Sequence, residues 1–355
     1  MIVRQSYNIP SYPVELPLND NSTLENLIIN LSEQLFTEWK PYKKKISYFT
    51  NGITNKIVGV EATDYTGSHP SHLIFRIFGK NTENFIDRDT ELYNFQMLNS
   101  VGLAGNVYAK FKNGIIVDYL DGETISINNV RKNDMSKKIA IALGNLHKLN
   151  IGDENQTPMI FDKLKDYFLI MKTEFDNKNN QTNFDNYFKN ISIQDDYNVL
   201  SEYIKNDPCM LVFCHNDLLL NNILYDEEKD SIHFIDYEYA GVNYQLFDIG
   251  NHFNEWAGIE NIDVNLFPTD SQKRHFIRSY LQTLSSHQNI DKEIDKIMRQ
   301  ISLYEAASHY FWAIWAIVQA SNSLIDFDYI SFAILRYSFF KTSLNIYKKN
   351  TNIID

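Results

Sequence analysis

The side chains able to do chemistry gather in one short stretch. His215-Asn216-Asp217 is followed by Asn222, five residues after the aspartate, and by Asp236 beyond the next turn. An Asp, Asn, Asp set of this kind suits phosphoryl transfer. One carboxylate orients an acceptor hydroxyl and takes its proton, while an amide oxygen and a second carboxylate are hard oxygen ligands that hold Mg²⁺ against ATP phosphates. Asp217 is therefore the expected base, with Asn222 and Asp236 the expected metal ligands. A polar turn between buried strands would be written with the same residue types. The apolar flanks, Met210 to Cys214 before the loop and Ser231 to Ile235 before the second acid, favour the chemical reading.

Complementary parts lie upstream. Arg76 is the lone charge within Leu73 to Phe78, and Glu91 comes 15 residues later on a helical pattern. Such a pair positions ATP phosphates as a strand cation and a helix carboxylate do in kinases. Thr50-Asn51-Gly52-Ile53-Thr54-Asn55, at the first hairpin, would close over the phosphates, and the backbone of Asp118, Tyr119 and Leu120 would read adenine. The 13 glycines include no pair at i and i+2, and no Gly-x4-Gly-Lys occurs. Dinucleotide-fold, protein-kinase glycine-loop and P-loop readings are thereby set aside.

These residues need elements to position them. Two β-branched runs between Lys45 and Thr63, a third from His72 to Gly79, a helix over Asp89 to Val101 and two strands over Val107 to Phe111 and Ile115 to Leu120 give the order βββαββ. Asp121-Gly122-Glu123-Thr124 breaks the pattern, and the remainder of the chain is mostly helical. The expected fold class is α+β with two lobes, residues 1–120 binding ATP and 121–355 carrying catalysis and the acceptor site. The first lobe would be an antiparallel sheet plus one helix. In the second, Ser136 to Leu149 reads as an amphipathic helix, and Gly152 to Asn206 as two helices joined by a loop at Asn177 to Asn183. A hairpin over Asn222 to Asp236 and long helices over Asp291 to Asn322 and Tyr329 to Lys348 complete it.

Trp312 and Trp315 lie three apart on one of those long helices, where indole faces take a cation at ~0.5 to 2 kcal/mol each. Ordinary core is the commoner meaning of such a stripe. Asp248 is expected to cap a helix and brace the catalytic loop, His215 to brace the same loop, and His252 and His309 to be hydrogen-bonded core histidines.

Composition limits partners. Across 355 residues, acids outnumber bases 45 to 33, a net charge of −12, so neither nucleic acid nor stable membrane insertion is expected. No run approaches the ~18 apolar residues of a membrane span. The two cysteines, Cys209 and Cys214, make no disulfide framework, which fits a reducing, cytoplasmic location.

The runs Phe213-Cys-His-Asn-Asp-Leu-Leu-Leu-Asn-Asn-Ile-Leu and Phe234 to Gly258, with Phe49 to Lys56, Phe75 to Gly79, Asp87 to Glu91, Phe311 to Ala320 and Ile325 to Tyr329, resemble the choline/ethanolamine kinase family, its ethanolamine branch more closely. The resemblance spans about residues 46–345 and implies a protein-kinase-like fold. It implies transfer of the γ-phosphoryl of Mg·ATP to the hydroxyl of ethanolamine, the first step of the CDP-ethanolamine route to phosphatidylethanolamine. It makes Asp217 the base, assigns Mg²⁺ to Asn222 and Asp236, and ATP support to Arg76 and Glu91. Glu255, Trp312 and Trp315 would line the amino-alcohol pocket, with Phe327 as a further wall. A primary ammonium needs acceptors for three N–H groups when desolvated, which Glu255 and Asp217 would supply. Leu219, Asn254-Glu255 and Ala257-Gly258 look like the ethanolamine type, but Trp256 stands where those kinases tend to have Phe. Choline therefore stays open as acceptor, as do an antibiotic or small-sugar phosphotransferase, an inactive kinase-like binding module, and assembly as a homodimer.

Overall fold

The computed structural model describes residues 9–49, 55–79, 86–150, 156–259, 262–284, 289–323 and 327–353. In chain order the N-terminal lobe contains β1 (Ser11–Tyr12), α1 (Asn21–Leu35), β2 (Lys44–Phe49), β3 (Asn55–Ala62), β4 (His72–Phe78), α2 (Arg88–Ser100), β5 (Val107–Phe111) and β6 (Gly114–Asp118). Its strands form one sheet in the order β1-β5-β6-β4-β3-β2. The expected βββαββ core is present, with two additions. Strand β1 runs parallel to β5, Ser11 opposite Lys110, so the sheet is mixed rather than antiparallel. Helix α1 makes a second helix in this lobe: Asp20 caps it by accepting the Thr23 N–H at 3.1 Å, and Leu24, Ile28 and Leu31 bury one face.

Pleat alternation in β4 decides what the cleft receives. Leu73, Phe75 and Ile77 join Trp39 and the α1 residues in a core on one face of the sheet. Ile74 and Arg76 point to the other face and line the interlobe cleft. Asp87 starts α2 by accepting the N–H groups of Asp89 and Thr90, each at 3.1 Å, which fixes Glu91 in the first turn.

The larger lobe runs β7 (Glu123–Thr124), α3 (Ile127–Val130), α4 (Asn133–His147), α5 (Met159–Ile170), α6 (Lys178–Phe188), α7 (Ile193–Asn206), β8 (Leu211–Cys214), β9 (Ile223–Asp226), β10 (Ser231–Phe234), β11 (Gly241–Tyr244), α8 (Gln245–Glu255), α9 (Asp270–Leu284), α10 (Ile290–Asn322) and α11 (Tyr329–Asn350). The described residues 156–206 contain three helices, not the two expected over Gly152 to Asn206. Asn177 is an N-cap bonded to the N–H groups of Asn179 and Asn180, and the expected loop up to Asn183 is the start of α6. Only Phe184 and Phe188 of α6 are buried, too thin an apolar signal to stand out among its asparagines.

The C-lobe core surrounds α10, which is buried on every face from Gln300 to Gln319. Helix α8 is buried throughout and approaches α10 at Gly250, where a Cβ would lie 2.8 Å from the Glu305 backbone nitrogen. No helix among the described residues is long and apolar enough to cross a membrane.

Candidate active site

Strand β8 delivers His215, Asn216 and Asp217 to the cleft, and Asp248, Ile235, Tyr239 and His252 hold the turn beyond it. The Asp248 carboxylate accepts the His215 N–H at 2.7 Å and the Asn216 N–H at 2.6 Å, and His147 Nε2 lies 3.1 Å from it. The bracing role expected of Asp248 is present. The capping role is not, because α8 has Tyr244 at its N-cap and no side-chain cap there. His215 Nδ1 accepts the Asp217 N–H at 3.3 Å, so Nε2 carries the proton and donates to the Ile235 carbonyl at 2.9 Å. Asn216 holds a left-handed φ of 67°, its amide donating to the Tyr239 carbonyl at 2.9 Å. His252 Nδ1 bonds the Leu218 carbonyl at 3.2 Å, while Nε2 accepts the Trp256 indole N–H at 3.1 Å. Trp256 is thus buried support for the loop, and burial pushes the His252 pKa down to about 4.

The three oxygen-bearing residues meet. Asn222 donates its amide N–H to the Asp217 carbonyl at 2.9 Å and to Asp217 Oδ2 at 3.2 Å. The β9–β10 hairpin, with Ile223 opposite Phe234, continues into an Ile235 N–H bond to the Asn222 carbonyl at 3.0 Å. Asp236 therefore comes directly beside Asn222, with a left-handed φ of 66°. That strained backbone turns its carboxylate into the cleft, the kind of cost that persists at functional sites. Burial first, then the carboxylates of Asp236, Glu255 and Glu238, push the Asp217 pKa well above the ordinary carboxylate value.

Opposite stands a charge cluster that the sequence only half disclosed. Arg76 Nη1 lies 2.9 Å from Glu91 and Nη2 2.7 Å from Asp236, with Glu238 at 3.9 Å. Arg88 adds contacts of 2.7 Å to Glu91 and 3.4 Å to Glu238. Glu238 and Arg88 were not anticipated. The i, i+3 spacing of Arg88 and Glu91 was a usable signal for the arginine; Glu238, two residues past Asp236, had none beyond proximity. Of the expected phosphate loop, Thr50, Asn51, Gly52, Ile53 and Thr54 lie outside the described residues. Asn55 is described and donates to Glu238 at 3.2 Å.

These residues fit a divalent cation. One carboxylate oxygen each from Glu91, Asp236 and Glu238 lies within 4.8 Å of the others. Asn222, whose amide nitrogen is spent on Asp217, keeps its amide oxygen clear of any hydrogen bond among the described residues. Burial and the acids beside it push the Glu238 pKa up to about 7, the signature of surplus negative charge that a hard cation would relieve. The cleft behind is about 500 Å³, walled by Ile57, Ile74, Val117, Phe234 and Ile235 and bordered by Asp118, Tyr119 and Leu120. The Asp118 carboxylate is turned to Asn106 and Tyr108, at 2.6 and 2.5 Å, leaving the hinge backbone at the cleft edge.

Trp312 and Trp315 pack edge to face, ring centres 5.4 Å apart, with Tyr239 5.3 Å from Trp312 and Tyr329 5.8 Å from Trp315. Phe327 extends this aromatic group through Tyr329 at 4.9 Å. The indole N–H groups are spent on Asn251 Oδ1, at 2.8 Å, and the Tyr239 hydroxyl, at 2.9 Å, which fixes both ring planes. Glu255 is close enough to raise Asp217, yet one of its oxygens is tied to buried Arg336, and that guanidinium also meets His309 Nδ1 at 3.3 Å. Arg336 was not anticipated. It leaves Glu255 one oxygen, not two, for a ligand.

The architecture is that of the protein-kinase-like phosphotransferases. The chain belongs to the choline/ethanolamine kinase family, whose model matches residues 46–341. Ethanolamine kinase 2 of Homo sapiens is 34% identical over 310 residues, covering 87% of this chain and 78% of the human protein. An ethanolamine kinase of Plasmodium vivax superposes with a TM-score of 0.77 at 26% identity, covering 92% of this chain and 91% of the other. A choline kinase of Cryptosporidium parvum shares the fold, with a TM-score of 0.71 at 22% identity over 93% of this chain and 98% of its own.

Proposed function

We propose that this enzyme transfers the γ-phosphoryl of ATP to the hydroxyl of ethanolamine, giving phosphoethanolamine and ADP. The observation that carries the reading is the meeting of Asp217, Asn222 and Asp236 on one loop and hairpin, facing Arg76 and Glu91 across the cleft. In this scheme the acceptor oxygen attacks the γ-phosphorus as the bond to the β-phosphate oxygen breaks, and the hydroxyl proton passes to Asp217. A carboxylate whose pKa is raised by burial and like charges takes that proton more readily than an ordinary aspartate. Most of the rate would come from positioning and charge neutralisation, because the transferring group needs little covalent help.

Mg²⁺ would be held by Asn222 and Asp236, with Glu238 beside them, and when bound it would neutralise phosphate charge. Arg76, locked between Glu91 and Asp236, would steady the phosphates, and the Asp118 to Leu120 backbone would meet the adenine edge. The aromatic faces of Trp312, Trp315, Tyr239 and Phe327 would hold the ammonium, with Glu255 and Asp217 supplying negative potential.

The name of the human relative favours ethanolamine, while Trp256 leaves choline as a second acceptor. An ADP-release assay with each amine at equal concentration tests this. Faster turnover of ethanolamine is expected; faster turnover of choline would reverse the assignment, and no Mg-dependent ADP release with either would remove it.

A further inference from the structure

Helix α5 lies in the polar stretch to which sequence patterning attached no chemistry, yet it packs one buried tyrosine toward the aromatic group of the candidate site. Tyr167 is 1% exposed, and among the described residues its hydroxyl makes no hydrogen bond of good geometry, the Tyr239 hydroxyl being a weak partner at most. Its ring lies 5.6 Å from Phe311, which in turn packs at 5.1 Å against Trp312 of the aromatic group. The carboxylates of Glu238 and Asp217, from the candidate site, and of Asp166, on α5 itself, also act on the hydroxyl. The Tyr239 oxygen accepts the Trp315 indole N–H, which leaves its own O–H to point toward Tyr167. A fully buried hydroxyl with so poor an internal hydrogen bond is costly to keep, and a ligand that supplies a better one explains it.

We propose that the Tyr167 hydroxyl oxygen accepts an N–H of a primary ammonium acceptor substrate and so discriminates ethanolamine from quaternary amines. The inference rests on the amino-alcohol reading above. Aromatic faces attract any cation, methylated or not, so the indoles cannot sort the two amines by hydrogen bonding. An acceptor can, because –NH₃⁺ brings three donors and a trimethylammonium brings none. With one Glu255 oxygen committed to Arg336, the pocket needs a further acceptor, and Tyr167 provides one without adding charge. Burial pushes its pKa far up, so it stays neutral throughout the working range.

The test is Tyr167→Phe in the full chain, with steady-state kinetics on ethanolamine, its N-methyl and N,N-dimethyl derivatives, and choline. The change removes one oxygen from a filled position, so Tm should hold or rise, and that measurement excludes misfolding as the cause of any loss. The kcat/KM ratio of ethanolamine to choline should fall about tenfold, mainly through the ethanolamine KM, with the methylated amines graded between. An unchanged ratio, or equal losses on all four amines, would overturn the role given to Tyr167. Failure of the unmodified enzyme to phosphorylate ethanolamine would instead overturn the functional reading beneath it.

Discussion

Glu238→Gln should stabilise the ligand-free protein at pH 8 and change it little at pH 5. The Glu238 carboxyl is buried beside Asp236 and Glu91, with Arg76 and Arg88 offsetting only part of that repulsion, and its pKa is pushed up from 4.5 to about 7. An unfolded chain releases this proton near 4.5, whereas the folded protein keeps it until about 7. Across that interval the folded state binds the extra proton, so its stability falls as pH rises and levels off above the folded pKa. The gap corresponds to about 3 kcal/mol for this one group. Glutamine keeps the length of the side chain and an oxygen for the Asn55 amide, but does not titrate. Urea unfolding at pH 5, 6, 7 and 8, without nucleotide or divalent cation, reads the difference directly. The native protein should lose about 2 to 3 kcal/mol more than the variant between pH 5 and pH 8. Parallel stability curves would refute the argument, because they would mean that the carboxyl ionises as freely inside the cluster as in water.

The same geometry sets two further outcomes. Asp217→Asn should lower kcat by roughly 10² to 10⁴ while Tm holds or rises, since burial and like charges already disfavour that carboxylate; near-normal turnover would remove Asp217 as the base. Gly250→Ala should lower stability by about 1 to 3 kcal/mol by forcing α8 off α10, where the new methyl would meet Glu305 N at 2.8 Å and the Tyr304 carbonyl carbon at 2.9 Å; an unchanged Tm would show that the two helices are not packed so closely.

What could be read without coordinates was what short-range geometry fixes. Asp217, Asn222 and Asp236 belong to one loop and one hairpin, so their spacing already constrains where they end up. Arg76 was conspicuous because a strand alternates faces and a single charge among apolar residues must point away from the apolar core. Helices α1 and α6 escaped for different reasons. The first carries a readable Leu24, Ile28, Leu31 face to which no chemistry drew notice, and the second buries only two residues.

Charge balance behaves otherwise, and it governs this site. Arg336 reaches Glu255 across 81 positions, Asp248 meets His215 across 33, and Arg76 meets Asp236 across 160. No local pattern specifies such partners, so a sequence identifies a carboxylate without revealing whether a cation shares it. That difference decides chemistry. Glu255, read alone, is a ready acceptor for an ammonium; tied to Arg336, it delivers less negative potential and fewer free lone pairs. On the proposal made for Tyr167, the discrimination between amines rests on a group that carries no charge, and such a buried hydroxyl is invisible to any reading built on ionisable residues and their spacing.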